Sequence, residues 1–220
     1  MTKVLFFSLV FIGAMIIAAT GVAQANMLAN PGFEDSLNNW TITFSNPAST
    51  ATPSATATSH SGNKAAKLVC ASDMIIAGIA QRITNSTYMA AIRDNLVEGG
   101  GWMRTDGDPD AKSYLQVEFY DGSWDGVDQI YTAALKTTGV TGNLPGYTNF
   151  AFTDSEALRG ARELADRAQF VLFAESDMSG AGTFYYDDVS LDVVPEPASL
   201  FLLGTGLVGL FGVSRKKKRA

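Results

Sequence analysis

The chain has one cysteine, Cys70, and one histidine, His60, in 220 residues. A lone cysteine excludes any disulfide within the chain, even in a compartment that permits one. With one histidine there is no dense zinc-ligand spacing and no Ser-His-Asp signature. The position of His60 in a Ser-rich loop argues against a Cys–His catalytic pair. Alternation along Lys67-Leu68-Val69-Cys70-Ala71 puts Cys70 on one strand face with Leu68, as a buried structural thiol.

Charge is sparse and lopsided. Six of the sixteen basic residues are Lys3 and five residues at the C-terminus, whereas all twenty-two acids lie between Glu34 and Glu196. The stretch between therefore carries a net charge near −12. Such a surface repels nucleic acid and anionic lipid, so nucleic acid is excluded as a partner, and divalent cations or neutral ligands suit it better.

Sustained helical periods and internal repeats are missing too. What is present is a series of short strand-like runs separated by Gly, Asn, Asp and Ser clusters, the pattern of a sandwich or barrel. The expected strands are Trp40–Phe44, Ala65–Cys70, Met74–Ile83, Gly101–Thr105, Tyr114–Tyr120, Gln129–Lys136, Tyr147–Thr153, Ala168–Ala174 and Thr183–Val193. Ser155–Ala165 is the one helical patch, with Glu156 and Glu163 spaced around Arg159 and Arg162; eleven residues allow a marginal helix or a loop with helical turns. Pro47–Ser61 reads equally as a flexible loop or a Thr-rich strand pair. Asn39-Trp40-Thr41 and Asn85-Ser86-Thr87 fit a glycosylation pattern by coincidence. Asp106-Gly107-Asp108-Pro109-Asp110 opens like an EF-hand loop but has Ala111 and Val117 where the Gly and the bidentate Glu belong, which leaves a solvated acidic turn.

The two ends read as addresses. Lys3, the apolar stretch Val4–Ala19 and Ala23-Gln24-Ala25 form a signal peptide over residues 1–25, cleaved before Asn26. The C-terminal stretch opens with Val194-Pro195-Glu196-Pro197, whose prolines cannot continue a sheet. An uncharged run of sixteen residues, Ala198–Val213, follows, and Arg215, Lys216, Lys217, Lys218 and Arg219 close the chain. Sixteen residues fall short of the roughly 20 of an ordinary span, but snorkelling basic residues allow a stop-transfer helix. The basic cluster then stays on the cytoplasmic side.

This tail resembles the PEP-CTERM sorting signal of Gram-negative bacteria, with its tripeptide as Pro195-Glu196-Pro197. The resemblance implies residues 194–220 as a sorting signal, processing by an exosortase-type protease, anchoring in the inner membrane beforehand, and a final place at the cell surface or outside it.

Between the addresses lies one domain, 26–193. It begins Leu28-Ala29-Asn30-Pro31-Gly32-Phe33-Glu34-Asp35 with Trp40 soon after, continues Ser59-His60-Ser61-Gly62-Asn63-Lys64, and ends Phe184-Tyr185-Tyr186-Asp187-Asp188-Val189-Ser190-Leu191. That order resembles the jelly-roll carbohydrate-binding modules of the galactose-binding-like superfamily, and implies an all-β jelly-roll β-sandwich with Phe33 and Trp40 in its core. A jelly roll brings its first and last strands together, so Glu34, Asp187 and Asp188 are expected near one another. Carboxylates gathered without basic partners raise each other's pKa unless a cation intervenes. The resemblance implies a structural calcium, held by Glu34, Asp187 and Asp188 and by carbonyls of the His60–Lys64 segment, Lys64 among them. The competing reading makes these acids turn caps that accept backbone amide hydrogens.

Alternation in Tyr114–Tyr120 sends Leu115, Val117 and Phe119 to the core and Tyr114, Gln116, Glu118 and Tyr120 outward. Trp102 and Arg104 likewise face out, with Met103 inward, and Trp124 sits at a turn as a rim residue. Aromatic rings for pyranose faces and planar polar groups for hydroxyl pairs make these six outward residues the candidate groove for a neutral polysaccharide. Three functions compete: a non-catalytic glycan-binding module, a structural or adhesive surface protein, and a small glycoside-active enzyme working through two carboxylates. The motifs are structural, which favours a non-enzyme.

Overall fold

The computed structural model describes residues 26–45, 54–70, 76–107, 111–121, 130–154, 158–176 and 181–194. The signal peptide, Pro195, Glu196, Pro197, the terminal basic cluster and Trp124 lie outside them.

Among the described residues, eleven strands build two antiparallel sheets. The first sheet runs β1 (Thr41–Ser45), β4 (Ile76–Ile83), β10 (Arg167–Ser176), β6 (Ala111–Asp121), β7 (Ile130–Lys136), with β8 (Val140–Thr141) also on β6. The second runs β2 (Ser54–Thr56), β3 (Ala65–Cys70), β11 (Gly182–Val194), β5 (Leu96–Gly107), β9 (Leu144–Thr153). The architecture is an all-β β-sandwich, as the alternating runs suggest, and the jelly roll that the resemblance implies.

Alternation decides what lies between the sheets. Leu115, Val117 and Phe119 of β6 meet Phe170 and Leu172 of β10 on the inner face of the first sheet. Leu68, Cys70, Met103, Phe184, Tyr186 and Leu191 supply the second, all at most 2% exposed. Tyr186 spans the core, its hydroxyl bonding to Ser113 and donating to the Phe173 carbonyl at 3.1 Å. Phe33 and Trp40 stand in the same core with ring centroids 5.1 Å apart.

Phe33, however, is in no strand. Residues 26–40 form turns, with Asn30, Phe33, Ser36 and Asn39 all at positive φ. It is this turn segment, not β1, that closes on the last strand: Met27 N–H donates to the Leu191 carbonyl at 2.9 Å, and Val189 N–H to the Pro31 carbonyl at 3.1 Å. β1 and β11 belong to different sheets.

Among the described residues are two short helices. α1 (Ser86–Asp94) begins at Asn85, whose side chain accepts from the amides of Thr87 and Tyr88 at 2.9 and 3.3 Å, and it buries Met89 and Ile92. α2 (Arg159–Leu164) occupies part of the helical patch. Arg159 pairs with Glu163 at 2.8 Å on its surface, as the spacing suggests. Arg162 does not; it is buried, paired with Asp154 and donating to the carbonyls of Ile92 and Asn95.

Candidate functional site

One five-residue loop, His60–Lys64, gathers the three acids expected to converge. Glu34 Oε1 accepts from the amides of Asn63 and Lys64 at 2.8 and 3.1 Å. Asp187 Oδ2 accepts from the amides of His60 and Ser61 at 2.8 and 3.0 Å. Asp188 takes Ser61 Oγ at 2.9 Å and lies 2.8 Å from His60 Nδ1. Gly62 makes the loop fit: at φ +59° it occupies left-handed backbone, and a Cβ there would stand 2.2 Å from Glu34 Oε1. Lys64 turns its Nζ to Ser36 Oγ at 3.1 Å.

The electrostatics follow the hydrogen bonds. The amides of Asn63 and Lys64 hold the Glu34 carboxyl below the ordinary carboxylate range. Burial pushes Asp187 up, against the pull of the Ser61, His60 and Asp188 amides. Among the described residues no three His, Cys, Asp or Glu side chains stand close enough to hold a metal ion. A calcium ion here would have to draw on loop carbonyls and displace amide bonds already made.

The six outward residues do not share one face. Trp102 and Arg104 lie on β5 in the second sheet; Tyr114, Gln116, Glu118 and Tyr120 lie on β6 in the first. The sandwich puts its core between those strands, so the set divides into two groups on opposite outer faces.

On the second sheet Trp102 is covered. The His60 ring stacks on it with centroids 3.9 Å apart and planes 12° from parallel, and Tyr147 meets His60 edge-on at 5.7 Å. Arg104 donates to both oxygens of Asp106 at 2.9 and 3.1 Å and lies over the Tyr185 ring at 5.1 Å. The sole histidine, read in the sequence only as a member of its loop, thus bridges that loop to the sheet.

On the first sheet the outward group is continuous with residues of β10. Tyr114 stacks on its cross-strand partner Phe173, centroids 4.6 Å apart and 22° from parallel. Beside them Glu118 accepts from Gln116, from the Tyr120 hydroxyl and from Gln169, and Gln169 also donates to Tyr120 Oη at 3.1 Å. Glu118 and Gln169 are buried although they point away from the core, and Gln169 Oε1 accepts no hydrogen bond. Tyr114 and Gln116 are half-buried at the edge of this network. Gln169 was absent from the expected set; its register opposite Glu118 is the signal that pairing β6 with β10 supplies.

Residues 193–216 match the PEP-CTERM protein-sorting motif, so the chain is an exported protein with a C-terminal sorting signal. No curated protein matches the sequence. Among solved structures, the chain is similar to the C-terminal family 22 carbohydrate-binding module of Clostridium thermocellum Xyn10B, at 15% identity and TM-score 0.52, covering 78% of this chain and 98% of that one. A Bacteroides thetaiotaomicron structure described as a sugar-binding protein gives 11% and 0.53, covering 77% of this chain and 100% of the other. The enzymatically active domain of tailspike protein 4 from bacteriophage CBA120 gives 15% and 0.54, covering 77% of this chain but 21% of that chain. At such identities the likeness establishes the fold alone, the β-sandwich of carbohydrate-binding modules.

Proposed function

We propose that the exported domain is a non-catalytic module that binds a neutral polysaccharide through the outer face of its first sheet. The carrying observation is the Glu118 network next to the stacked Tyr114–Phe173 pair. Glu118 and Gln169 are buried polar groups held in fixed hydrogen bonds, and such networks orient the more accessible amide they touch. Here that amide is Gln116, in line with a half-buried aromatic ring suited to a pyranose face. Carbohydrate-binding modules among the similar structures support the same reading. Affinity electrophoresis through neutral polysaccharides tests it: retardation that Gln116→Ala and Tyr114→Ala abolish supports the module, while hydrolysis of a glycoside panel would make it an enzyme.

The sorting signal supports processing by an exosortase-type protease near Pro195–Pro197, with residues 1–25 removed and Arg215–Arg219 held in the cytoplasm while the tail anchors the protein in the inner membrane. Mass spectrometry of protein from the medium is expected to find Asn26 at its start and no basic cluster; an intact tail there contradicts the scheme.

Calcium at the His60–Lys64 loop is part of this proposal. Glu34, Asp187 and Asp188 would supply carboxylates and Lys64 a carbonyl, and a bound ion stabilises by mass action, about 2.7 kcal/mol at a hundredfold excess over Kd. The melting temperature is then higher in calcium than in chelator, and Asp188→Asn narrows the gap. Equal temperatures leave the three acids as acceptors of the loop's own hydrogen bonds alone, Glu34 and Asp187 from amides and Asp188 from the Ser61 hydroxyl.

A further inference from the structure

The outer face of the second sheet has a groove that the proposed function does not use. It runs along β5 between β11 and β9 with a volume of about 210 Å3. That is smaller than the roughly 300–1,000 Å3 of sites for drug-sized ligands and suits a single ring. Its floor is low because Gly100 faces Ala151 across the strands. A Cβ on Gly100 would stand 2.5 Å from the Phe150 carbonyl oxygen, so the floor cannot be built up without parting the strands.

Polar side chains line this floor. Glu98 stands in register with both Thr153 and Asp192, Ser190 with Gly100, and Asn149 with Trp102. The register shift in β11 between Asp187 and Ser190 sets Ser190 and Asp192 in these positions. None of the five polar side chains, Glu98, Asn149, Thr153, Ser190 and Asp192, hydrogen-bonds or ion-pairs with another described residue. Among the described residues no Lys or Arg lines the groove, and burial together with the Glu98 charge pushes the Asp192 carboxyl up. The groove therefore offers hydroxyl and amide groups for sugar oxygens and two neighbouring carboxylates with no cation between them.

We propose that this groove binds an amine-bearing sugar residue, such as a 2-amino-2-deoxyhexose of a partly N-deacetylated glycan. The ring lies over Gly100 and Ala151, and its ammonium sits between Glu98 and Asp192. Asn149, Thr153 and Ser190 take the hydroxyls. That the ligand is a glycan rests on the function proposed above; the requirement for an amine rests on this groove alone.

The test is calorimetric titration of the full chain, in neutral detergent, with a glucosamine tetramer and its fully N-acetylated counterpart. The tetramer is expected to bind at least about tenfold more tightly than the acetylated form, a difference near 1.4 kcal/mol. Binding should weaken as salt rises, because exposed charges are screened. Glu98→Gln with Asp192→Asn should remove the preference, and Gln116→Ala should leave it intact. Asn149→Ala, which changes no charge, should weaken both oligomers equally and serves as the probe if the double variant does not fold. Equal affinity for the two oligomers, no binding of the glucosamine tetramer, or a preference that survives the double variant overturns the proposal. Failure of the wild type to bind any neutral polysaccharide, with its amine preference present, would count against the first-sheet site and leave this groove standing.

Discussion

At Asp188 the backbone enters the left-handed region, φ 45°, and the register of β11 shifts between Asp187 and Ser190. An unbroken strand would send two successive side chains to opposite faces; this irregularity lets both acids reach the His60–Ser61 segment, Asp187 its amides and Asp188 its side chains. The bulge explains why sequence alone could name Glu34, Asp187 and Asp188 as neighbours yet not how they are engaged. Convergence follows from motifs at the two chain ends, whereas the choice of amide hydrogens as partners depends on a backbone detail that alternation does not encode. Glu34 gives a sharp pH expectation. Its folded-state pKa lies below the ordinary value, so its stabilisation is complete above the usual carboxylate range and fades as pH falls through it. Glu34→Gln should flatten the acid limb of a melting-temperature profile; an unchanged limb would show that the Asn63 and Lys64 amides contribute nothing. Cys70 makes the second residue-scale case. Burial pushes its thiol up to about 11, and the side chain has no exposure. Since the thiolate is the reactive form, a maleimide should label the native protein at neutral pH only as fast as it unfolds, and fast labelling would place Cys70 outside the core.

Strands were the legible elements. Ala65–Cys70 has the expected bounds, and the inward set Leu115, Val117 and Phe119 lies in the core as alternation requires. Gly99 and Gly100 fall outside the expected strand Gly101–Thr105 but lie within β5, where their bare backbone approaches β9 and β11. α1 escaped notice because nine residues carry too little periodicity, although Asn85 caps it and Met89 and Ile92 mark its buried side. Arg162 shows a related limit. The helical patch grouped it with Glu156, Arg159 and Glu163, yet tertiary packing turns it inward to Asp154 and two carbonyls of the α1 segment. A buried pair is sensitive to losing one member, which typically costs about 3–5 kcal/mol because the other charge stays buried and unpaired. Arg162→Ala should therefore lower unfolding free energy in urea by that order, while Arg159→Ala, on the same helix, should change it by less than about 0.5 kcal/mol. Equal effects from the two would mean that Arg162 is not the cross-link between the helices.

For the whole molecule, period-two patterning resolved the class of fold but not which outward faces coincide. Trp102 and Arg104 share the inside-outside pattern of Tyr114–Tyr120, and nothing in the pattern tells β5 and β6 apart; only the strand order assigns them to different sheets. The consequence for function is direct. A ring stacked under His60 is poorly placed to receive a sugar, whereas Tyr114 and Gln116 border a buried, rigid network. The account's central claim is that neutral-glycan binding belongs to the first sheet. Its most direct test is affinity electrophoresis in neutral polysaccharide of the wild type, Gln116→Ala and Trp102→Ala. Retardation should be lost in Gln116→Ala and kept in Trp102→Ala; loss confined to Trp102→Ala, or no retardation of the wild type, would contradict it.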